Sequence, residues 1–273
     1  MYRLFKLQET NIAWDLFGGR SQYLSAGKEG IKETLSDKDC EKFISMFFKD
    51  GQINFSGEEL INAVFPTFRR NVFISHSHDD KNLTYAVAGL LKKFFDLTVF
   101  IDEYFWGSAN GLLKYIDKKH CKIGNNLYSY ENRNLTTSHV HTMLSTAIMR
   151  AIDQCELILF LGTDNSAIPD IDEKFEKGEY TMSPWIYQEI SFASLLPSRD
   201  WEWYRGDNKE KVEIIKESCN IAYELPPMVE LNSEDLVLWK KEYNNHRNSM
   251  PQYYNALNYL YKIKKNKVQA ING

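Results

Sequence analysis

The 273-residue chain has no C-x-x-C pair, and its four cysteines, Cys40, Cys121, Cys155 and Cys219, lie scattered along it. That spacing excludes a disulfide framework and points to a reducing, cytoplasmic setting. No leader-like start and no apolar run of membrane-spanning length is present, so no membrane partner is expected. Positive charge is not in excess either: the net charge is -4 and the isoelectric point about 5.9. A broad nucleic-acid footprint is therefore not expected, and the short basic run Lys262-Ile263-Lys264-Lys265 reads as a solvated helix end. Repeats and low-complexity linkers are absent as well. Aromatic residues are plentiful, with 16 Tyr, 16 Phe and 6 Trp, enough for both a core and stacking surfaces.

Two regions differ in periodicity. Up to about residue 70 the apolar positions follow helical spacing, clearest at Cys40, Phe43, Ile44 and Phe47 after a cap at Ser36, which predicts a small helical appendage over residues 1–70. A short helix should open at Ser56-Gly57-Glu58-Glu59. The stretch around Gly51 imitates half of a calcium loop. Setting Gly51 at the invariant glycine puts Met46 and Phe48 at the first two ligand positions and Gly57 where a bidentate glutamate belongs, which argues against one.

From residue 71 to 273 strands alternate with helices, the pattern of an α/β domain with a parallel sheet covered on both faces. Val72–Ser75, Leu97–Ile101 and Glu156–Leu161 read as strands. Amphipathic stripes run from Leu83 to Phe94 and from Val140 to Ala151. Val212–Ile215 and Asn220–Leu225 are further strand candidates, and helices should start near Ser233 and Ser249. In such sheets ligands bind beyond the carboxyl ends of the strands. The loop after Asp102, through Trp106, Gly107 and Gly111, opens there.

Ser183-Pro184-Trp185-Ile186-Tyr187-Gln188-Glu189 carries the most chemistry in the chain. Ser183 reads as a helix cap and Pro184 as the first helical residue, so Trp185 and Glu189, at i and i+4, share a face near the helix start. Such a face can stack a flat ring and stabilise a cation. The competing readings are a solvated helix carboxylate for Glu189 and core packing for Trp185. His76 and His78, like His139 and His141, form H-x-H pairs, but no carboxylate or cysteine stands at a convincing spacing, so no metal is expected. Asp79 and Asp80 could hold a ribose hydroxyl or simply answer a helix dipole. Tyr128 and Tyr130 could stack an adenine or pin a loop. The Trp201-Glu202-Trp203-Tyr204 cluster could seat a partner or fold back onto the sheet.

Three separated pieces resemble the Toll/interleukin receptor (TIR) domain family, in that family's order. Val72-Phe73-Ile74-Ser75 with Asp79 and Asp80 is similar to its first box. Val99-Phe100-Ile101-Asp102, leading into a glycine-bearing segment, is similar to its second strand and BB loop, and Ser183-x-Trp185-x-x-x-Glu189 to its third-helix motif. The resemblance covers roughly residues 70–230. It implies a flavodoxin-like fold and, in the stand-alone bacterial branch, cleavage of NAD+ between ribose and nicotinamide in anti-phage immunity. It implies a catalytic role for Glu189. Trp185 would wall the nicotinamide, Ser75 and His76 would line the floor, and Asp102 with the Glu103–Gly107 segment, Trp106 included, would form a movable lid. NAD+ would be substrate, with no separate cofactor. Self-association through TIR domains and a downstream effector sensing the product would be the protein partners. The sequence departs from the family pattern at Ile186, where many members carry cysteine, at His76, where an aromatic is usual, and in an Asn- and Tyr-rich insertion over about 121–138. A non-enzymatic TIR scaffold is the alternative the same resemblance allows. A glycosyl-transferring enzyme acting on other nucleosides is a third.

Overall fold

The computed structural model describes residues 4–29, 57–65, 69–125, 127–169, 179–197, 199, 201–205, 223–224, 228–249 and 255–271. Its strands are β1 (Leu4–Gln8), β2 (Val72–Ser75), β3 (Val99–Ile101), β4 (Lys122–Gly124), β5 (Leu127–Tyr128), β6 (Leu157–Gly162), β7 (Ile168–Pro169), β8 (Glu179–Thr181), β9 (Tyr223–Glu224) and β10 (Val229–Leu231). The helices of eight residues or more are α1 (Ser21–Glu29), α2 (Gly57–Val64), α3 (Lys81–Phe95), α4 (Glu103–Ile116), α5 (Tyr130–Gln154) and α6 (Pro184–Leu195). Beyond the short α7 (Trp201–Arg205), α8 (Ser233–His246) and α9 (Ala256–Ile271) complete the set.

Five strands form one sheet in the order β10-β1-β6-β2-β3, every neighbouring pair parallel. The central strands are continuous apolar runs because both of their faces are covered: all six residues of β6 and all four of β2 are buried. Side chains alternate between two cores. Phe5, Leu7, Val72, Ile74, Leu157, Leu159 and Leu161 pack with α1, α3, α8 and α9. Leu4, Phe73, Phe100, Ile158 and Phe160 pack with α2, α4, α5 and α6. The molecule is thus an α/β protein with helices on both faces of a parallel sheet. Two small antiparallel sheets, β4-β5 and β7-β8-β9, lie outside it.

The expectation of a purely helical appendage over residues 1–70 is corrected at its start. Residues 4–8 are a strand inside the main sheet, between β6 and β10. Lys6 interrupts the apolar run and hides the strand in the sequence; it is 3% exposed, and its ammonium group meets Glu179, with Glu230 at 3.7 Å. α1 lies against α3 so closely that a β-carbon on Gly27 would come within 1.8 Å of the Tyr85 carbonyl oxygen, and one on Gly89 within 2.0 Å of that of Tyr23. The Cys40–Phe47 stripe and the Gly51 stretch lie outside the described residues.

Further boundaries move. The segment after Asp102 is not a loop: the Asp102 carbonyl accepts the amides of Phe105 at 2.8 Å and Trp106 at 3.3 Å, which starts α4 at once. The 121–138 insertion folds as the β4-β5 hairpin and the first turns of α5, capped by the Ser129 hydroxyl, which accepts the Asn132 amide at 3.3 Å. The last helix is described from Ala256, and Arg247–Ser249 is a separate short turn. Lys264 is 8% exposed and pairs with Asp235, so that basic stretch is not simply a solvated end. Val212–Ile215 lies outside the described residues, and Tyr223–Glu224 joins the small sheet rather than the large one. Tyr204 folds inward, while the Arg199 guanidinium lies 3.7 Å from the Trp203 ring centre. Among the described residues no helix is long and apolar enough to cross a membrane.

Candidate active site

The start of α6 forms as its sequence requires. The Ser183 hydroxyl accepts the Ile186 amide at 3.3 Å and Pro184 occupies the first turn. The buried residues of this helix are Ile186, Glu189, Ile190 and Ala193, spaced i, i+3, i+4 and i+7. Glu189 therefore sits on the stripe that packs against the sheet, and the solvated-carboxylate reading is overturned: it is 2% exposed. Trp185, one turn earlier, is half-buried.

The ends of β2 and β3 meet Glu189 from below. Parallel pairing sets Ile74 opposite Ile101, so Ser75 and Asp102 stand level with one another. The Ser75 hydroxyl donates to Glu189 Oε2 at 2.7 Å. His76 Nδ1 lies 3.5 Å from Asp102 Oδ1, close enough for a charge interaction but not aligned as a hydrogen bond. The Trp106 indole N–H donates to Asp102 Oδ2 at 2.9 Å, and its ring meets Trp185 edge-on, centroids 4.4 Å apart. His141 of α5 meets the same tryptophan edge-on at 5.5 Å, and burial holds its imidazole toward the neutral form.

Three polar atoms of this cluster, Glu189 Oε1, Asp102 Oδ1 and His76 Nδ1, are buried without a hydrogen-bond partner. Burial drives the Glu189 carboxyl well above the ordinary glutamate range; the neighbouring Asp102 carboxyl adds to this, and the Ser75 hydroxyl opposes it. Four other buried acids have cations, while buried Asp80 is held by neutral donors. Glu156 holds Arg205, Asp153 holds Arg199, Asp117 holds Arg133 and Asp235 holds Lys264. Among the described residues no lysine or arginine pairs with Glu189 or Asp102. Two orphaned carboxyl oxygens without a lysine or arginine among the described residues are suited to a ligand that brings donors or positive charge.

The site lies where the winding of the sheet reverses. β2 leads to α3 on one face and its neighbour β6 leads to α6 on the other, the position at which open α/β sheets place their binding crevice. Asp80 staples the segment after β2 to the segment after β6: its carboxylate accepts the Thr163 hydroxyl and, at 2.8 Å, the Asn165 amide. Each of its oxygens thus takes part in a structural bond.

Of the residues singled out in the sequence, Ser75, His76, Asp102, Trp106, Trp185 and Glu189 come together. Gly107 does not; it is an exposed position on α4. The two imidazoles of the first H-x-H pair separate, His76 toward Asp102 and His78 toward Glu103 at 2.9 Å. Tyr128 lies under the Arg133 guanidinium and Tyr130 is 79% exposed. Sequence reasoning missed the Thr163/Asn165 staple and the His141 contact, which join elements far apart in the chain. Among the described residues no group of three or more His, Cys, Asp or Glu converges as a metal site would. No family model matches the chain, and neither a curated protein nor a solved structure does.

Proposed function

We propose that this protein is a TIR-type NAD+ nucleosidase, a glycohydrolase or ADP-ribosyl cyclase, that cleaves the ribosyl–nicotinamide bond. The observation that carries the reading is the buried Glu189/Asp102 pair, with no lysine or arginine partner among the described residues and beside two tryptophans at the carboxyl end of a parallel sheet. Nicotinamide in NAD+ is a cationic leaving group, and its departure moves positive charge onto the ribose. A carboxylate in a dry site stabilises that charge far better than water would. In this reading Glu189 faces the ribose, Ser75 fixes its carboxyl, Trp185 walls the pyridinium ring, and Asp102 anchors the Trp106 side of the pocket. The run β3-β2-β6 supports a flavodoxin-like, TIR-like fold, because it matches the 2-1-3 start of the 2-1-3-4-5 order; the fourth place departs from that order, being filled by the amino-terminal strand β1 where a later strand would stand.

The biological setting proposed with this reading is cytoplasmic anti-phage immunity, in which NAD+ is depleted or converted to an ADP-ribose-derived signal sensed by an effector protein. The protein would self-associate through its TIR domains. Purified protein at high concentration should release nicotinamide from NAD+, measured by chromatography, and mass spectrometry of the products should separate hydrolysis from cyclisation. Glu189→Gln should lower the rate about a thousandfold, as expected for losing a carboxylate that answers a developing cation. Undiminished turnover in that variant would refute the assignment.

A second reading, a non-enzymatic scaffold, is favoured by one observation. Ile123, Leu127, Tyr130 and Leu135 expose 60–79% of their surface around the β4-β5 hairpin and the start of α5. No binding at millimolar NAD+ in the assembled state would select the scaffold.

A further inference from the structure

The Glu189/Asp102 pair has an unusual inventory of partners. Each carboxyl has one oxygen satisfied by a neutral donor, Ser75 for Glu189 and Trp106 for Asp102, and one buried oxygen with nothing bonded to it. Two adjacent buried carboxyl groups repel one another when both are ionised, and a proton or a cation between them relieves that repulsion. We infer that Glu189 and Asp102 share a single proton that is exchanged for the positively charged ring of the ligand, so that the site selects pyridinium-type cations over their neutral counterparts. This inference rests on the proposed reading of the site as one for NAD+.

The exchange balances. The protonated pair gives H+ to solvent as the cation enters, with no bond to carbon made or broken. After nicotinamide leaves and water adds to the ribose, the proton lost by that water returns to the pair. The direction in which burial and Asp102 move the Glu189 carboxyl agrees with this order of events.

Among the described residues one imidazole stands against the pair: His76, on the β2 side, at 3.5 Å from Asp102. The other titratable groups nearby are engaged elsewhere. On α4, Glu103 is held by His78 and Lys81. On α5, His141 faces Trp185 rather than the acids. In the segment after β2, Asp80 is taken up by Thr163 and Asn165.

The test is titration calorimetry of the full chain with carbocyclic NAD+, which keeps the pyridinium charge but does not cleave, and with NADH, whose ring is neutral. Two buffers of different ionisation enthalpy count the protons. At pH 7 carbocyclic NAD+ should release close to one proton and NADH none; on acidification the affinity for carbocyclic NAD+ should fall about tenfold per pH unit while that for NADH holds. Glu189→Gln should abolish the release, and His76→Asn should keep it. The inference is overturned if the wild-type protein binds the cation without releasing a proton or does not bind it, if the glutamine variant still releases one, or if the asparagine variant no longer does. Nicotinamide release from NAD+ is scored separately. Cleavage without proton release sinks the shared proton alone, whereas proton-coupled binding without cleavage at any protein concentration sinks the enzymatic reading alone.

Discussion

Glu156 and Glu189 are both buried glutamates, 3% and 2% exposed, at opposite ends of the same sheet. Glu156 precedes β6 at the amino end and is gripped by Arg205 through both of its oxygens, at 2.6 and 2.9 Å, while Arg205 also bonds Asn255 and Asn258. Glu189, at the carboxyl end, has a serine hydroxyl and, among the described residues, no lysine or arginine. Burying a charge is costly unless it is paired and hydrogen-bonded. The chain meets that cost at Glu156 and leaves it unmet at Glu189. One end of the sheet is thus arranged for stability, and the other retains a tension that a cationic ligand would relieve.

The sharpest way to break this contrast is to exchange the consequences of mutation at its two poles. Glu189→Gln should remove nearly all nicotinamide release, while Glu156→Gln should leave the chemistry of folded protein near wild type; comparable activity losses at both positions would erase the distinction. Next in size is the stability of the paired end. Glu156→Gln strands Arg205 and should cost about 3–5 kcal/mol, a drop of roughly 6–20 °C in Tm by thermal denaturation.

Trp185→Leu probes whether the tryptophan pair belongs to the unpaired end as a ligand wall. It should lower kcat/KM by about 10- to 100-fold, on the order of 1.4–2.8 kcal/mol, chiefly through KM. An effect confined to Tm would instead make the Trp106–Trp185 contact core packing.

The smallest expected effect reverses the usual sign. Because the folded state holds the Glu189 carboxyl above its unfolded value, the protonated form favours folding at low pH, and that contribution is lost as pH rises through the folded-state titration. Glu189→Gln has no such titration. Its Tm should match wild type near pH 5 and exceed it by a few degrees at pH 8, each 1 kcal/mol being worth about 2–4 °C. A gap that narrows with rising pH would contradict the buried neutral carboxyl.

Much of the fold was readable along the chain because β2, β6, α3 and α6 announce themselves locally. Val72–Ser75 and Leu157–Gly162 are unbroken apolar runs. Ser183 and Pro184 mark a helix start through backbone chemistry that needs no distant partner. β1 was not readable, since a strand containing Lys6 makes sense only beside Glu179, which lies 173 residues away. Likewise Trp106, Gly107 and Gly111 suggested a loop, and packing of Phe105 and Leu112 into the core made that segment a helix. The candidate site was legible as a set of residue types, and the i, i+4 spacing of Trp185 and Glu189 was enough to put them on one helix face.

By itself the sequence determined which segments are strands and helices wherever hydrophobic period and capping agree, and it set Trp185 and Glu189 one turn apart. Only the tertiary structure decided that this face turns inward, that Asp102 and His76 come up beside it with no lysine or arginine among the described residues, and that Glu189 is driven toward its neutral form. The reason is physical: periodicity and caps act over a few residues, whereas burial, counter-charge and proton affinity depend on what the rest of the chain brings within a few ångströms.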